Sequence, residues 1–280
     1  MPAWIKSMAK NETKESYAKD YLYFGMELEI AAPRDMDELP YHDDLNIQVG
    51  SDSSIAVSKG CPERYEYRFH PGTWGWWVEH RSQLTRFLRT LRESGCVTGT
   101  QHNCGLHIHF SDVLRADHSL NLMQLVYQNP DEMFLLSKRT ESQMGWCKIK
   151  FPTRQADSSW TCTCEACTAQ RSLSEYGGKV TNRESMTKLR SICYDKYTAL
   201  SIRSDTLELR LFSGSLSARQ VWGAMEFLRA GIEYTVPDKF NPDHDGSITS
   251  FRAWLTTTPG YNCLKWMLNK ALGRIKHEAK

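Results

Sequence analysis

Residues 24–30 read Phe-Gly-Met-Glu-Leu-Glu-Ile, and the alternation of apolar and acidic side chains in this stretch decides the fold. In a β-strand, successive side chains point to opposite faces of the sheet. Glu27 and Glu29 would therefore share one face, opposite the apolar side chains. Because two neighbouring carboxylates repel each other, this face needs a cation, an arginine or solvent between them. The stretch predicts a half-buried strand that displays a pair of acids.

The same spacing recurs in two later segments. The sequence CGLHIHF carries His107 and His109, and the sequence LELRL carries Glu208 and Arg210. Carboxylates combined with imidazole favour Mg²⁺ or Mn²⁺ over a thiolate zinc site. An arginine beside them favours a phosphate group. The three segments together predict a metal and phosphate site assembled from separate strands.

Two further acids are candidates for this site. Residues 64–69, Arg-Tyr-Glu-Tyr-Arg-Phe, alternate again and would place Glu66 and Arg68 on one face. Glu66 is therefore either a metal ligand or the cross-strand partner of Arg68 or another strand residue. Asp52 lies in a segment that predicts a turn or short strand, where aspartate is also common for backbone reasons.

The pattern of the whole chain predicts an α+β fold. Strands that alternate apolar and polar residues are typical of a mostly antiparallel sheet with one polar face. We expect that face to be open and helices to pack on the other. Residues 70–76 predict a turn, and the apolar spacing that follows predicts a helix over about 76–94 that stops at Gly95.

For the organisation of the chain, we expect a flexible arm at residues 1–20 and a single domain at 21–280. Residues 140–183 are polar, rich in cysteine and poor in periodicity, which predicts an insertion. Two C-terminal helices are predicted from about residue 248.

Composition excludes some classes of function. The net charge of +2, from 35 basic and 33 acidic residues, leaves no footprint for non-specific nucleic-acid binding. No apolar run approaches the roughly 18 residues that cross a bilayer. The first twenty residues lack the pattern of a signal peptide. With nine irregularly spaced cysteines, we expect reduced thiols and a cytoplasmic location.

The cysteines of the insertion indicate a second metal. Cys162, Cys164 and Cys167 follow the spacing C-x-C-x-x-C, and with Cys147 they would make a Cys₄ structural Zn²⁺ site. An insertion without a core of its own needs such a staple. The fourth ligand stays open between Cys147, Cys193 and a histidine, and the alternative is three thiols in a loop.

The order of these motifs resembles the amidoligase family of carboxylate–amine ligases, which is related to glutamine synthetase and glutamate–cysteine ligase. The matching segments, spread over residues 21–235, are Gly25-Met-Glu27-Leu-Glu29, Asp52-Ser-Ser, Tyr65-Glu66, Cys104-Gly-Leu-His107-Ile-His109 and Leu207-Glu208-Leu-Arg210-Leu-Phe-Ser-Gly-Ser-Leu216.

The resemblance implies a glutamine synthetase-like domain that forms amide bonds with ATP. A carboxylate substrate would become an acyl phosphate, and an amine substrate would then attack it. The small molecules, peptides or protein termini that supply these groups are not specified by the motifs. The implied Mg²⁺ or Mn²⁺ ligands are Glu27, Glu29, Glu66, His107 and Glu208; the implied catalytic residues are Glu27, Glu29, Glu208 and Arg210; the residues expected to contact the nucleotide are Arg210, Arg203, His109 and Asp52.

The chain departs from the family pattern at three places. The usual Asp-Gly-Ser turn is Asp52-Ser53-Ser54, the segment 68–71 has one residue more than usual, and Ser201 stands where an asparagine is common.

Two other functions fit the same residues. A zinc-stapled binding module would use the cysteine insertion and leave the sheet as a scaffold. A metal-dependent hydrolase would use the carboxylates and histidines with water as the nucleophile, without ATP.

Overall fold

The computed structural model describes residues 22–34, 40, 42–111, 116–147, 153–154, 160–161, 182–192, 197–202, 206–236, 240 and 245–278. The predicted arm at 1–20 and most of the predicted insertion lie outside these residues. Within the described part of the chain, each helix is too short or too polar for a membrane span.

We number the elements in chain order. The strands are β1 (Tyr23–Ala32), β2 (Gln48–Ser51), β3 (Glu63–Thr73), β4 (Gly105–Ser111), β5 (Thr153–Arg154), β6 (Trp160–Thr161), β7 (Leu200–Ile202) and β8 (Thr206–Ser213). The helices are α1 (Trp74–Glu79), α2 (Arg81–Glu93), α3 (Ala116–Tyr127), α4 (Pro130–Ser137), α5 (Asn182–Ile192), α6 (Ala218–Tyr234), α7 (Ile248–Thr257) and α8 (Asn262–Glu278). Short 3₁₀ turns lie at Asp43–Leu45, Thr100–His102 and Glu141–Trp146.

The chain divides into two compact units, one formed by Met1–Val113 with Ser204–Trp222 and one by Leu114–Arg203 with Gly223–Lys280. In the first unit, five strands form an antiparallel sheet in the order β2-β3-β1-β4-β8. A mixed fold of helices and antiparallel sheet was predicted, and this coarse class is confirmed.

One face of the sheet is an apolar core. Met26, Leu28 and Ile30 of β1 are completely buried, as predicted from their alternation. Helix α2 packs on this face, where the ring of Phe87 lies 5.3 Å from that of Tyr67 and 5.5 Å from that of Phe69. The burial of these side chains supplies the hydrophobic stabilisation of the unit.

The predicted turn at 70–76 is wrong. Strand β3 continues through His70 and Pro71 to Thr73, whose side chain then caps α1 by accepting from the Trp76 N–H at 3.2 Å. The helix therefore begins at Trp74, and it is divided from α2 at His80. The predicted stop is confirmed, because Gly95 has a φ of 79° and follows the end of α2.

A β-bulge explains how β3 accommodates a proline. Phe69 pairs with Met26 and Gly72 pairs with Phe24, so His70 and Pro71 both lie opposite Gly25. Proline cannot donate to a ladder and is found in strands mainly at edges or bulges.

The second unit is mainly helical. Asn129, ahead of α4, donates from Nδ2 to the carbonyl oxygens of Leu125 and Gly246 at 2.9 and 2.8 Å, and its Oδ1 accepts from the N–H of Ile248 at 2.9 Å. Glu226 of α6 accepts from the N–H of Leu264 at 2.8 Å, at the start of α8. The two predicted C-terminal helices are confirmed as α7 and α8.

Candidate metal and anion site

The polar face of the sheet brings the strand doublets together. Glu27 of β1 pairs with Arg68 of β3 on one side and with His107 of β4 on the other. Glu29 pairs with Glu66, and His109 pairs with Glu208 of β8. These seven residues lie within the first unit, and together with Arg210 we call them the acidic centre. The register therefore assembles the predicted doublets into one cluster.

A second bulge places the arginine of the E-x-R doublet. Leu106 pairs with Phe212 and Ile108 pairs with Leu209, so Arg210 and Leu211 both lie opposite His107. Bulges redirect side chains and are enriched next to active sites. The guanidinium Nη1 of Arg210 forms an ion pair with Oε1 of Glu208.

His107 lies among three carboxylates. Its Nδ1 is 3.3 Å from Oε2 of Glu27 and 3.9 Å from Oε1 of Glu208, and its Nε2 is 3.6 Å from Oε1 of Glu29. His109 is the second imidazole, with Nε2 3.2 Å from Oε1 of Glu27. At each of these contacts, an imidazole nitrogen lies close to a carboxylate oxygen. Both atoms are of a kind that can bind a metal ion.

The acidic centre is buried. The exposed fractions are 8% for Glu27, 4% for Glu29 and 5% for Glu208, and those of His107 and His109 are 3% and 5%. The expectation of an open polar face is therefore wrong at these positions. Buried ionisable groups lose solvation free energy, and pairing with opposite charges returns only part of it. This cluster therefore lowers the stability of the fold relative to an apolar cluster of similar size.

Mutual charges decide the ionisation of the buried acids. Burial opposes ionisation of Glu27, but the charge of His109 and hydrogen bonds from both histidines outweigh it and hold the pKa of Glu27 well below its usual range. Burial likewise raises the pKa of Glu208, and the charges of His109 and Arg210 more than offset it, so that pKa is lowered. These two carboxylates are ready to bind a cation.

Two groups of the centre hold their protons more tightly than usual. Burial and the charge of Glu27 raise the pKa of Glu66 to about 7, against the opposing effect of Arg68. Burial disfavours the charged form of His109, but the carboxylates of Glu27 and Glu208 outweigh it and raise its pKa. A metal ion that binds here displaces these protons.

The backbone fixes the two remaining acids. The N–H of Gly105 donates to Oε2 of Glu29 at 2.6 Å, which holds this carboxylate toward β4. Asp52 follows β2, and its Oδ1 accepts from the N–H of Ser54 at 2.8 Å, as in an Asx turn. The prediction of a turn displaying Asp52 is confirmed.

Among the residues that the structure describes, three groups of side chains meet the distance requirement for a metal ion. In each group, one ligand atom from every residue lies within 4.8 Å of the others; the groups are Glu27, Glu66 and His107; Glu27, His109 and Glu208; and Glu29, Asp52 and Glu66. Carboxylate oxygens with one imidazole nitrogen fit Mg²⁺ or Mn²⁺. The donor set therefore fits the metal that the sequence predicts, and His109, expected at the nucleotide, also belongs to one of these groups.

Some predicted residues lie outside this description. Arg203 and the cysteines Cys162, Cys164 and Cys167 are outside the described residues, so their roles stay predictions. Cys147 is described and buried in the second unit.

Arg68 belongs to the centre but was not predicted as a site residue. Its Nη2 forms an ion pair with Oε2 of Glu66, and its Nε lies 4.0 Å from Oε1 of Glu27. The sequence contained a signal, because Arg68 shares the strand face of Glu66. Alternation along the strand indicates only the pairing with Glu66, and it does not indicate the contact with Glu27 on the neighbouring strand.

No protein-family model matches this chain. A search of curated proteins likewise finds no match. The amidoligase resemblance therefore rests on the order of the motifs alone.

Proposed function

We propose that this protein is a Mg²⁺- and ATP-dependent carboxylate–amine ligase that forms an amide bond. The observation that carries the proposal is the convergence of three strand doublets and Glu66 on one buried polar face, with ligand atoms at metal-binding separations. Carboxylates, imidazoles and guanidinium groups in one place suit the transfer of a phosphoryl group, which depends on positioning and charge neutralisation.

In the proposed reaction, the substrate carboxylate takes the terminal phosphoryl group of ATP and releases ADP. The amine then attacks the acyl phosphate and releases inorganic phosphate. The metal ions, when bound, supply charge neutralisation between the nucleotide phosphates and the reacting carboxylate.

The residues of the chain hold these charges in place. Glu27 contacts both imidazoles, and it belongs to two of the three ligand groups, so it is central to metal binding. Glu29 is held toward β4 by the Gly105 N–H. Arg210 would bind a phosphate oxygen, and its ion pair with Glu208 keeps the guanidinium beside the metal ligands.

The test does not need the natural substrates. Thermal unfolding is followed with and without Mg-ATP for the wild type, Glu27→Gln, Arg210→Ala and the control Glu93→Gln at the exposed end of α2. Ligands that bind only the folded state raise its stability. We expect Mg-ATP to raise the melting temperature of the wild type and the control, and neither site variant to show this increase.

The outcomes separate the rival functions. Stabilisation by Mg²⁺ with no further effect of ATP would favour the metal-dependent hydrolase and reject the ligase. An equal response to Mg-ATP in Glu27→Gln and the wild type would place the nucleotide elsewhere. A response to neither Mg²⁺ nor ATP would leave the binding module as the better hypothesis.

A further inference from the structure

Arg68 contacts carboxylate oxygen atoms that a bound metal ion would also use. It lies on β3 between Gln48 of β2 and Glu27 of β1. Its guanidinium contacts the carboxylates of Glu66 and Glu27. Together with His107, these two residues form one of the groups whose ligand atoms lie close enough to hold a metal ion. The arginine is therefore the internal counter-ion of that group.

A metal ion and this guanidinium cannot hold the same carboxylates equally well. Both are cations, and a divalent ion at Glu27, Glu66 and His107 would repel a guanidinium beside it. Carboxylate oxygens that coordinate a metal also lose capacity as hydrogen-bond acceptors. Metal binding is thus expected to weaken the two ion pairs of Arg68.

The surroundings of Arg68 allow it to take another partner. Its side chain is 37% exposed, compared with 19% for Arg210. The guanidinium lies over Gly50, where a β-carbon would stand 3.7 Å from Nη1, so on this side it borders backbone instead of a side chain. Strand β2 is the last strand on its side of the five-stranded sheet. A ligand at the sheet edge can therefore reach the guanidinium.

We propose that a divalent metal displaces Arg68 from Glu27 and Glu66, and that the released guanidinium then binds an oxyanion. This oxyanion is the carboxylate of the acid substrate or a phosphate of the nucleotide, because a guanidinium recognises both with paired N–H donors. The inference rests on the metal site of the proposed function. It makes Arg68 the residue that couples metal binding to anion binding.

The first measurement uses Mn²⁺ alone. Free Mn²⁺ is titrated by electron paramagnetic resonance at pH 8. Because one nearby charge shifts ion binding by a unit or more on the logarithmic scale, we expect Arg68→Gln to bind Mn²⁺ about tenfold more tightly than the wild type. The control Arg64→Gln lies on the same strand, where its side chain donates to the Ser53 carbonyl oxygen at 2.9 Å, and should leave the affinity unchanged.

The second measurement adds an anion at saturating Mn²⁺. ADP and glutarate are titrated separately by calorimetry, as probes for a phosphate and for a carboxylate. Loss of a charge-assisted contact should weaken one of the two probes by about tenfold or more in Arg68→Gln, and the affected probe identifies the source of the oxyanion. Arg68→Lys keeps the charge and removes the fork, so its Mn²⁺ affinity should stay near the wild type while the same probe weakens. This variant also serves if Arg68→Gln fails to fold.

Unchanged or weaker Mn²⁺ binding in Arg68→Gln would overturn the inference, as would unchanged binding of both probes. If Arg68→Gln binds Mn²⁺ more tightly and loses affinity for glutarate, but Mg-ATP never binds, the ligase proposal fails and the role of Arg68 stands. If Mn²⁺ does not bind the wild type or either Arg68 variant, both fail.

Discussion

At strand β1, the two faces of the sheet are both buried and are chemically opposite. Leu28 is 0% exposed on the apolar face, and its neighbour Glu27 is 8% exposed on the polar face. Burial of Leu28 stabilises the fold in proportion to the area removed from water. Burial of Glu27 costs free energy that only its cationic neighbours offset. The same strand thus carries one face whose burial stabilises the fold and one face whose burial lowers its stability.

This contrast favours a functional site on the polar face. A buried cluster of acids whose pKa values are moved in different directions is typical of a functional site. If the centre were only structural, apolar residues of similar size would serve there at lower cost. The predictions below test whether the two faces divide stability and binding between them.

The largest effect on stability is expected from the apolar face. Leu28→Ala removes a fully buried side chain and should lower the free energy of unfolding by about 2–5 kcal/mol. Chemical denaturation in the absence of metal measures the change. The control Val78→Ala, at a position 51% exposed, should change it by no more than about 0.5 kcal/mol. A loss below that limit for Leu28→Ala would show that the apolar face does not dominate stability.

A smaller and independent effect is expected from metal on the polar face. Mg²⁺ at about a hundred times its dissociation constant should raise the free energy of unfolding by about 2.7 kcal/mol. Leu28→Ala should retain this increment, because its side chain points away from the ligands. Glu208→Gln should lose most of it, because it removes one oxygen ligand of the group with Glu27 and His109. Denaturation with Mg²⁺ and with a chelator gives both values, and a lost increment in Leu28→Ala would mean that the faces are not independent.

The sequence predicted the faces but not their alignment. The period of two in residues 24–30 was enough to assign Glu27 and Glu29 to one side, since side-chain alternation is a local property of a strand. The residues that lie opposite each other on neighbouring strands depend on the register of the strands. The pairing of Glu29 with Glu66 is a property of this register, which alternation does not specify. The order of motifs suggested the convergence through a resemblance, not through geometry.

Local sequence signals gave one wrong prediction, at Pro71, and they missed two features that depend on neighbouring strands or on burial. Pro71 favours a turn in isolation, but the bulge opposite Gly25 lets β3 continue through it. Arg68 was read as a partner of Glu66, which is correct, but its additional proximity to Glu27 depends on the neighbouring strand. The burial of the polar face was also missed, because alternation shows which residues share a face and not what encloses it.

The smallest effect is a dependence on pH, which has opposite signs for stability without metal and for metal affinity. Burial and the charge of Glu27 raise the pKa of Glu66 to about 7, and the pKa of His109 is also raised. The folded protein therefore holds more protons than the unfolded chain, and the stability that these protons contribute is lost as the pH rises through those pKa values. The lowered pKa values of Glu27 and Glu208 act at more acidic pH. Without metal, stability should thus fall between about pH 5.5 and 7.5.

Metal binding has the opposite dependence on pH, because binding releases the proton of Glu66 and the affinity rises as this proton is lost. The affinity for Mn²⁺ should rise by about tenfold per pH unit below 7 from the proton of Glu66 alone, and more steeply where His109 also loses its proton. Mn²⁺ titrations from pH 5.5 to 8 measure this slope. In Glu66→Gln the affinity should be lower throughout, and its slope should be shallower because only His109 still exchanges a proton in this range. A wild-type affinity that does not change with pH would remove both Glu66 and His109 from the ligands.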